Sequence, residues 1–242
     1  MNTVPNISIT KETFFNNGQI MLPYLKDGVG SSLETAIRTA VTGAYPLTPK
    51  TRTKGPGYDA KEFNKTIRGL MSGIPGIHLE THVEYDSFVH YGINGFDFSF
   101  YDEAHNQANL RNYFIGNPGI YDGENKLRAL KKNVTGMNKV PWNAQVNTWM
   151  PSAGTDLTPT KNMLSVVGEI QVGNWALIKH DLLRLLNSSN TVDIDYYIYI
   201  TVTGNLENAL SDGIVTYDSA VEAIKENATL LKTPMWVIGL DY

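Results

Sequence analysis

The chain is expected to fold as an α/β protein, with a central mixed β-sheet flanked by helices and a loop-rich N-terminal half. Two observations carry this expectation. From residue 164 onward the hydrophobic pattern reads strand, helix, strand, helix, strand, an order that packs helices onto a sheet. The first 150 residues are instead broken by turn-forming stretches, GPG at 55–57, GIPGI at 73–77, GNPG at 116–119 and VPW at 140–142.

The elements follow in order. Residues 31–41 and 58–72 are predicted helices, the second from the spacing of Phe63, Ile67 and Leu70. The remainder of 1–150 reads as loops with short helices and strands. In 164–172, Leu164, Val166, Ile170 and Val172 share one face of a strand. Residues 174–187 place Trp175, Ile178, Leu182 and Leu185 at helical spacing, with Asn174 as N-cap directly after Gly173. Residues 192–202 alternate strictly, with Val192, Ile194, Tyr196, Ile198, Ile200 and Val202 on one side. A helix at 217–231 and a strand at 235–240 complete the set.

The totals narrow the function. A length of 242 residues suits a single domain, 1–242, with its regular core at 150–242. Hydrophobic residues at 42% and charged residues at 18% exclude a disordered chain. The absence of cysteine excludes disulfides and thiolate metal centres. The first residues, MNTVPNISITKETFF, do not read as a signal peptide, and no apolar run approaches the roughly 20 residues of a membrane helix. A soluble intracellular protein is expected. The net charge of −4 runs against an overall basic nucleic-acid binder, but polyanions respond to local charge at short range.

The stretch that carries chemistry is GTDLTPTKNMLSVVGEIQVGN, residues 154–174. On a strand, Glu169 and Gln171 project to the same side, roughly 7 Å apart and opposite Val166 and Ile170. Asp156 lies 13 residues before Glu169, and a turn at 158–162 would return its segment antiparallel to the Glu169 strand. Two carboxylates and an amide oxygen make a hard-oxygen set of the kind Mg²⁺ prefers. On these positions alone, the plain alternative is a solvated strand face.

The run G-E-I-Q-V-G-N, followed at once by an amphipathic helix, resembles the core of type II restriction endonucleases of the BamHI/BglII-like branch of the PD-(D/E)XK nuclease superfamily. In that branch the second acid is followed two residues on by Glu or Gln. GTD (154–156) is similar to the Asp-bearing strand, and the likeness continues through NLENALSDGIVTYDSAVEAI (205–224), covering about 154–240.

The resemblance implies a restriction endonuclease-like core and Mg²⁺-dependent cleavage of double-stranded DNA at a short palindromic site, leaving 5′-phosphates. It makes Asp156 and Glu169 the metal ligands. Gln171 would be a neutral partner that holds the water or metal shell. Residues 1–150 would contribute DNA-binding loops and helices. A homodimer through helices 174–187 and 217–231 is implied, as are a prokaryotic cytoplasmic location and a cognate DNA methyltransferase as genetic partner.

The resemblance also implies that Asn174 and the turn Ser211–Asp212–Gly213 would read bases, Asn being able to pair bidentately with adenine. A helix cap and an interhelical turn are their plain alternatives. Two basic clusters suit phosphate contact: Lys50, Arg52 and Lys54, and the run from Lys126 to Lys139 that includes Lys131 and Lys132. Solvated charge is the alternative for each. His78 and His82 lack the H-E-x-x-H pattern, and their segment reads as strand as much as helix, so zinc is not expected there. Glu80 or Glu84 is a possible extra acid with no local support. Two other readings stand beside the leading one: a repair or recombination nuclease on the same core, and a non-catalytic α/β DNA-binding protein.

Overall fold

Tyr196–Val202 is an unbroken run of β-branched and aromatic residues, and the stretch 235–240 carries no polar side chain, as expected of strands covered on both faces. In the computed structural model, which describes residues 4–52, 55–90, 95–117, 148, 154–210 and 213–242, they lie at the middle of the sheet.

The described elements, in chain order, are β1 (Asn6–Phe15), α1 (Gly18–Met21), α2 (Leu33–Val41), β2 (Gly43–Ala44), β3 (Pro49–Arg52), β4 (Gly55–Tyr58), α3 (Ala60–Met71), β5 (His78–Glu84), β6 (Ser87–Val89), β7 (Phe96–Phe100), α4 (Glu103–Ile115), β8 (Val166–Ile170), α5 (Leu177–Ser189), β9 (Tyr196–Val202), α6 (Gly204–Ala209), α7 (Tyr217–Glu226) and β10 (Met235–Asp241).

Among the described residues, eight strands form one sheet in the order β2-β1-β10-β9-β8-β7-β5-β6, and β3 pairs with β4 in a separate hairpin. β8, β9 and β10 run parallel, while β1, β7 and β5 join antiparallel, so the sheet is mixed as expected. Its two faces bury separate cores. On one, Val166, Ile170, Ile198 and Ile238 meet Ile37 of α2 and Phe63, Ile67 and Met71 of α3. On the other, Val167, Tyr197, Tyr199 and Val237 meet Ile178, Leu182 and Leu185 of α5 and Ala220 and Ile224 of α7.

The caps explain several helix starts. Asp59 accepts from the Lys61 and Glu62 N–H groups at the head of α3, and Asp102 accepts from His105 N–H at the head of α4. Thr216 and Ser219 form a reciprocal capping box on α7.

Several expectations need correction. Leu70 is exposed and Met71 takes the buried position on α3, because the core-facing row is 63, 67, 71. The helix expected from 174 begins at Leu177, capped at Ala176, and Trp175 is exposed. Asn174 instead closes a tight turn, its side chain accepting from Ala176 N–H at 3.0 Å. The last helix ends at Glu226 rather than 231. The N-terminal half contributes more sheet than expected: β1, ten residues long, pairs along β10, and the fully buried β7 pairs with β8.

Candidate active site

β8 is flanked by β7 and β9, so both of its hydrogen-bonding edges are occupied. No place remains for the segment carrying Asp156 to pair beside Glu169. Asp156 is exposed, accepts from Asn117 N–H at 2.8 Å, and lines a separate cavity with Tyr101, Asp102 and His105. The expected pairing of Asp156 with Glu169 is therefore corrected.

A different aspartate takes that position. Phe98 of β7 pairs with Gly168 of β8, so the next step of the register sets Asp97 opposite Glu169. Ile170 N–H donates to Asp97 Oδ2 at 2.7 Å and ties the strands together there. On the far side of β7, Leu79 pairs with Phe98 and Thr81 with Phe96, which brings Glu80 opposite Asp97. Glu80 has φ of 52°, a left-handed conformation that interrupts the β5 ladder at this point. Three acids thus stand in a row across three neighbouring strands.

Two arginines, one from each core layer, meet this row. Arg184 of α5 donates from Nη1 to Glu169 Oε1 and to Gly95 O, the latter at 2.9 Å. Its Nη2 lies 3.1 Å from His180 Nδ1 and 3.8 Å from Asp181 Oδ1. Arg68 of α3 forks between Glu80 Oε1 and Asp97 Oδ1. The side chains of Glu169 and Asp97 are 3% and 8% exposed. Burial, then the charges of Asp97 and Asp181, push the Glu169 carboxyl well above the usual range against the pull of Arg184. Burial pushes Asp97 up to about 6, opposed by Arg68 and the Ile170 N–H.

Glu169 and Gln171 line the same cavity of about 1060 Å³, while Ile170 between them turns into the first core. Both ends of the Gln171 amide are engaged. Oε1 accepts from Gly173 N–H at 3.0 Å, and Nε2 donates to Asp181 Oδ2 at 3.1 Å. Tyr199 OH donates to the same Asp181 oxygen at 3.3 Å. Gln171 therefore latches the end of β8 onto α5.

Asn174, Trp175, His180, Lys61, Asn64 and Lys50 line the cavity walls. Lys50 pairs with Asp59 at 3.1 Å, and Arg52 is spent on the Leu210 and Pro56 carbonyls. Lys54, Ser211, Asp212, Lys131, Lys132 and the rest of the 126–139 run lie outside the described residues. His78 lies on strand β5, stacked with His90 and Tyr101. Among the described residues, no group of three or more His, Cys, Asp or Glu side chains is arranged to hold a metal ion.

Asp97, Arg68 and Arg184 were not singled out from the sequence, and Glu80 was named only beside Glu84 as an extra acid without local support. The signal available was the run Gly95–Phe–Asp–Phe–Ser–Phe100, a strand of alternating aromatics in which a charged residue intrudes.

The sequence matches the family described as restriction endonuclease BglII/BglIII over residues 54–240. No curated protein matches the chain. The solved structure of restriction endonuclease BglII complexed with a DNA 16-mer is 14% identical, with a TM-score of 0.45 over 98% of this chain and 78% of that chain. The structure of free BglII is 12% identical, with a TM-score of 0.45 over 98% of this chain and 79% of that chain. The family match runs from β4 into β10 and takes in Asp97, Glu169 and Gln171, so the chain belongs to the BglII/BglIII restriction endonuclease family and is a type II site-specific deoxyribonuclease.

Proposed function

We propose that the protein, as one nuclease domain, cuts both strands of duplex DNA at a short palindromic site, with Mg²⁺ held by Asp97 and Glu169. The observation that carries this reading is the cross-strand placement of these two buried carboxylates on the floor of the large cavity. The donor set fits the ion. Mg²⁺ takes carboxylate oxygens, and a divalent cation would offset the burial, and the charge of neighbouring acids, that raise both carboxyls. When bound, it would supply charge neutralisation at the scissile phosphate and a more acidic water.

The chain's own residues do the rest. Arg184 holds one oxygen of Glu169, leaving the other for the cavity. Gln171 is a poor base with both amide ends occupied, so it shapes the wall. Proton acceptance then falls to solvent or to the phosphate. In-line attack would leave a 5′-phosphate and a 3′-hydroxyl. Asn174 and Lys50 line the same cavity and would supply base and backbone contact there.

A two-fold dimer suits a palindrome, with one site for each strand. We assign it to α5 and α7, with the exposed Leu177 and Leu183 on α5 as apolar contacts. Sedimentation equilibrium should give twice the chain mass. A cognate methyltransferase would protect host DNA in the prokaryotic cytoplasm.

The test is digestion of unmodified plasmid with purified protein and Mg²⁺. Discrete bands are expected, and a smear or intact DNA would overturn the reading. D97N and E169A should each slow cleavage by roughly a thousandfold, the several kcal/mol that a metal centre supplies. Duplex binding in Ca²⁺ should survive both.

A further inference from the structure

The two arginines at the acid row are held very differently. Besides Glu169, Arg184 has the Gly95 carbonyl, His180 and Asp181 around it, and its side chain is 18% exposed. These groups keep it in place whatever happens to Glu169. Arg68 has only two described partners, Glu80 and Asp97, and both belong to the acid row. Its side chain is 33% exposed, its Nε is buried with no hydrogen-bond partner, and it lines the cavity. Its side chain can therefore leave without breaking any other described contact. Glu80, its outer partner, is 42% exposed and sits on the strained, left-handed step of β5.

We propose that Arg68 is a place-holder: in the metal-free protein its guanidinium occupies the Asp97 carboxylate that the divalent cation takes, and the cation enters by displacing it. Arg68 is a positioning residue in this account, and the account rests on the reading of Asp97 and Glu169 as cation ligands. A guanidinium and a divalent cation compete for the same carboxylate oxygens, so the bond to Arg68 must be subtracted from cation affinity. Arg184 does not compete in this way, because its carbonyl and Asp181 partners keep it beside Glu169.

The experiment is Ca²⁺ binding without DNA, by calorimetry and by the Ca²⁺-induced shift in melting temperature. It is run at about pH 8 on wild type, R68M, R68K, R184M and D97N. R68M should bind Ca²⁺ about tenfold more tightly than wild type, the scale of one charged hydrogen bond, with R68K in between. R184M removes the same charge from the same cavity and should not tighten binding. An R68M protein that folds only when Ca²⁺ is present supports the place-holder equally. If R68M binds no more tightly than wild type, or if R184M tightens binding as much, the place-holder falls while the ligand assignment stands. If no variant responds to Ca²⁺ differently from D97N, the ligand assignment falls and the place-holder with it.

Discussion

Glu169 is reached by Arg184 from α5 and faces Asp97 from β7, so side-chain changes around it separate into charge effects and latch effects. Gln171 belongs to the second kind. Q171A removes the hydrogen bond that fastens the end of β8 to α5 and the one that closes the turn at Gly173, and should cost about 1–3 kcal/mol of stability in a denaturant titration. Its effect on cleavage should be much smaller than that of E169A. Asp156 accepts from the Asn117 N–H at the surface and lines a separate cavity, so D156A should cleave at the wild-type rate under the conditions in which D97N is strongly impaired. The reverse pattern would return Asp156 to the site. Glu169 and Gln171 were legible because a period of two puts them on one side of a strand. Asp97 was not, because 72 residues separate it from Glu169 and its position depends on strand order, which local pattern does not specify.

Strand β8 shows how an element is built around its neighbours. A Cβ added at Gly168 would meet the Phe98 ring at 2.1 Å and the Ile198 carbonyl at 2.7 Å. G168A must push β7 or β9 away, and should destabilise the protein by about 1–3 kcal/mol. Because Phe98 adjoins Asp97, the same change should also weaken Ca²⁺ binding, which calorimetry would read. The periodic C-terminal elements were legible in sequence, since β8, α5, β9, α7 and β10 each carry a continuous hydrophobic pattern. Their ends were less so. The α5 start slid to Leu177 because Asn174 spends its side chain on a turn instead of on a helix N-terminus. β1 was missed because Lys11, Glu12 and Thr13 lie mid-strand and half of its surface stays open to solvent.

At the scale of the whole molecule, acid should unfold the protein partly through His90. Burial, followed by the charge of His78, pushes His90 down to about 4. The unfolded chain then binds a proton through pH 6.5 that the folded chain refuses until about 4, so stability falls as pH drops through that window. Asp97, raised to about 6, acts in the opposite sense between about 4 and 6. The difference in urea midpoint between wild type and H90F isolates the histidine: it should change between pH 7 and 4, and a constant difference would sink the assignment. The sheet also has a consequence for how damage spreads. Arg68 hangs from a helix rooted in one hydrophobic layer and Arg184 from a helix rooted in the other, and the two grip adjoining strands at one end of the partition between those layers. Hollowing out either layer, by I67A on one side or L182A on the other, slackens a different arm of the same clasp. Two lesions that share no neighbour should therefore produce one common defect.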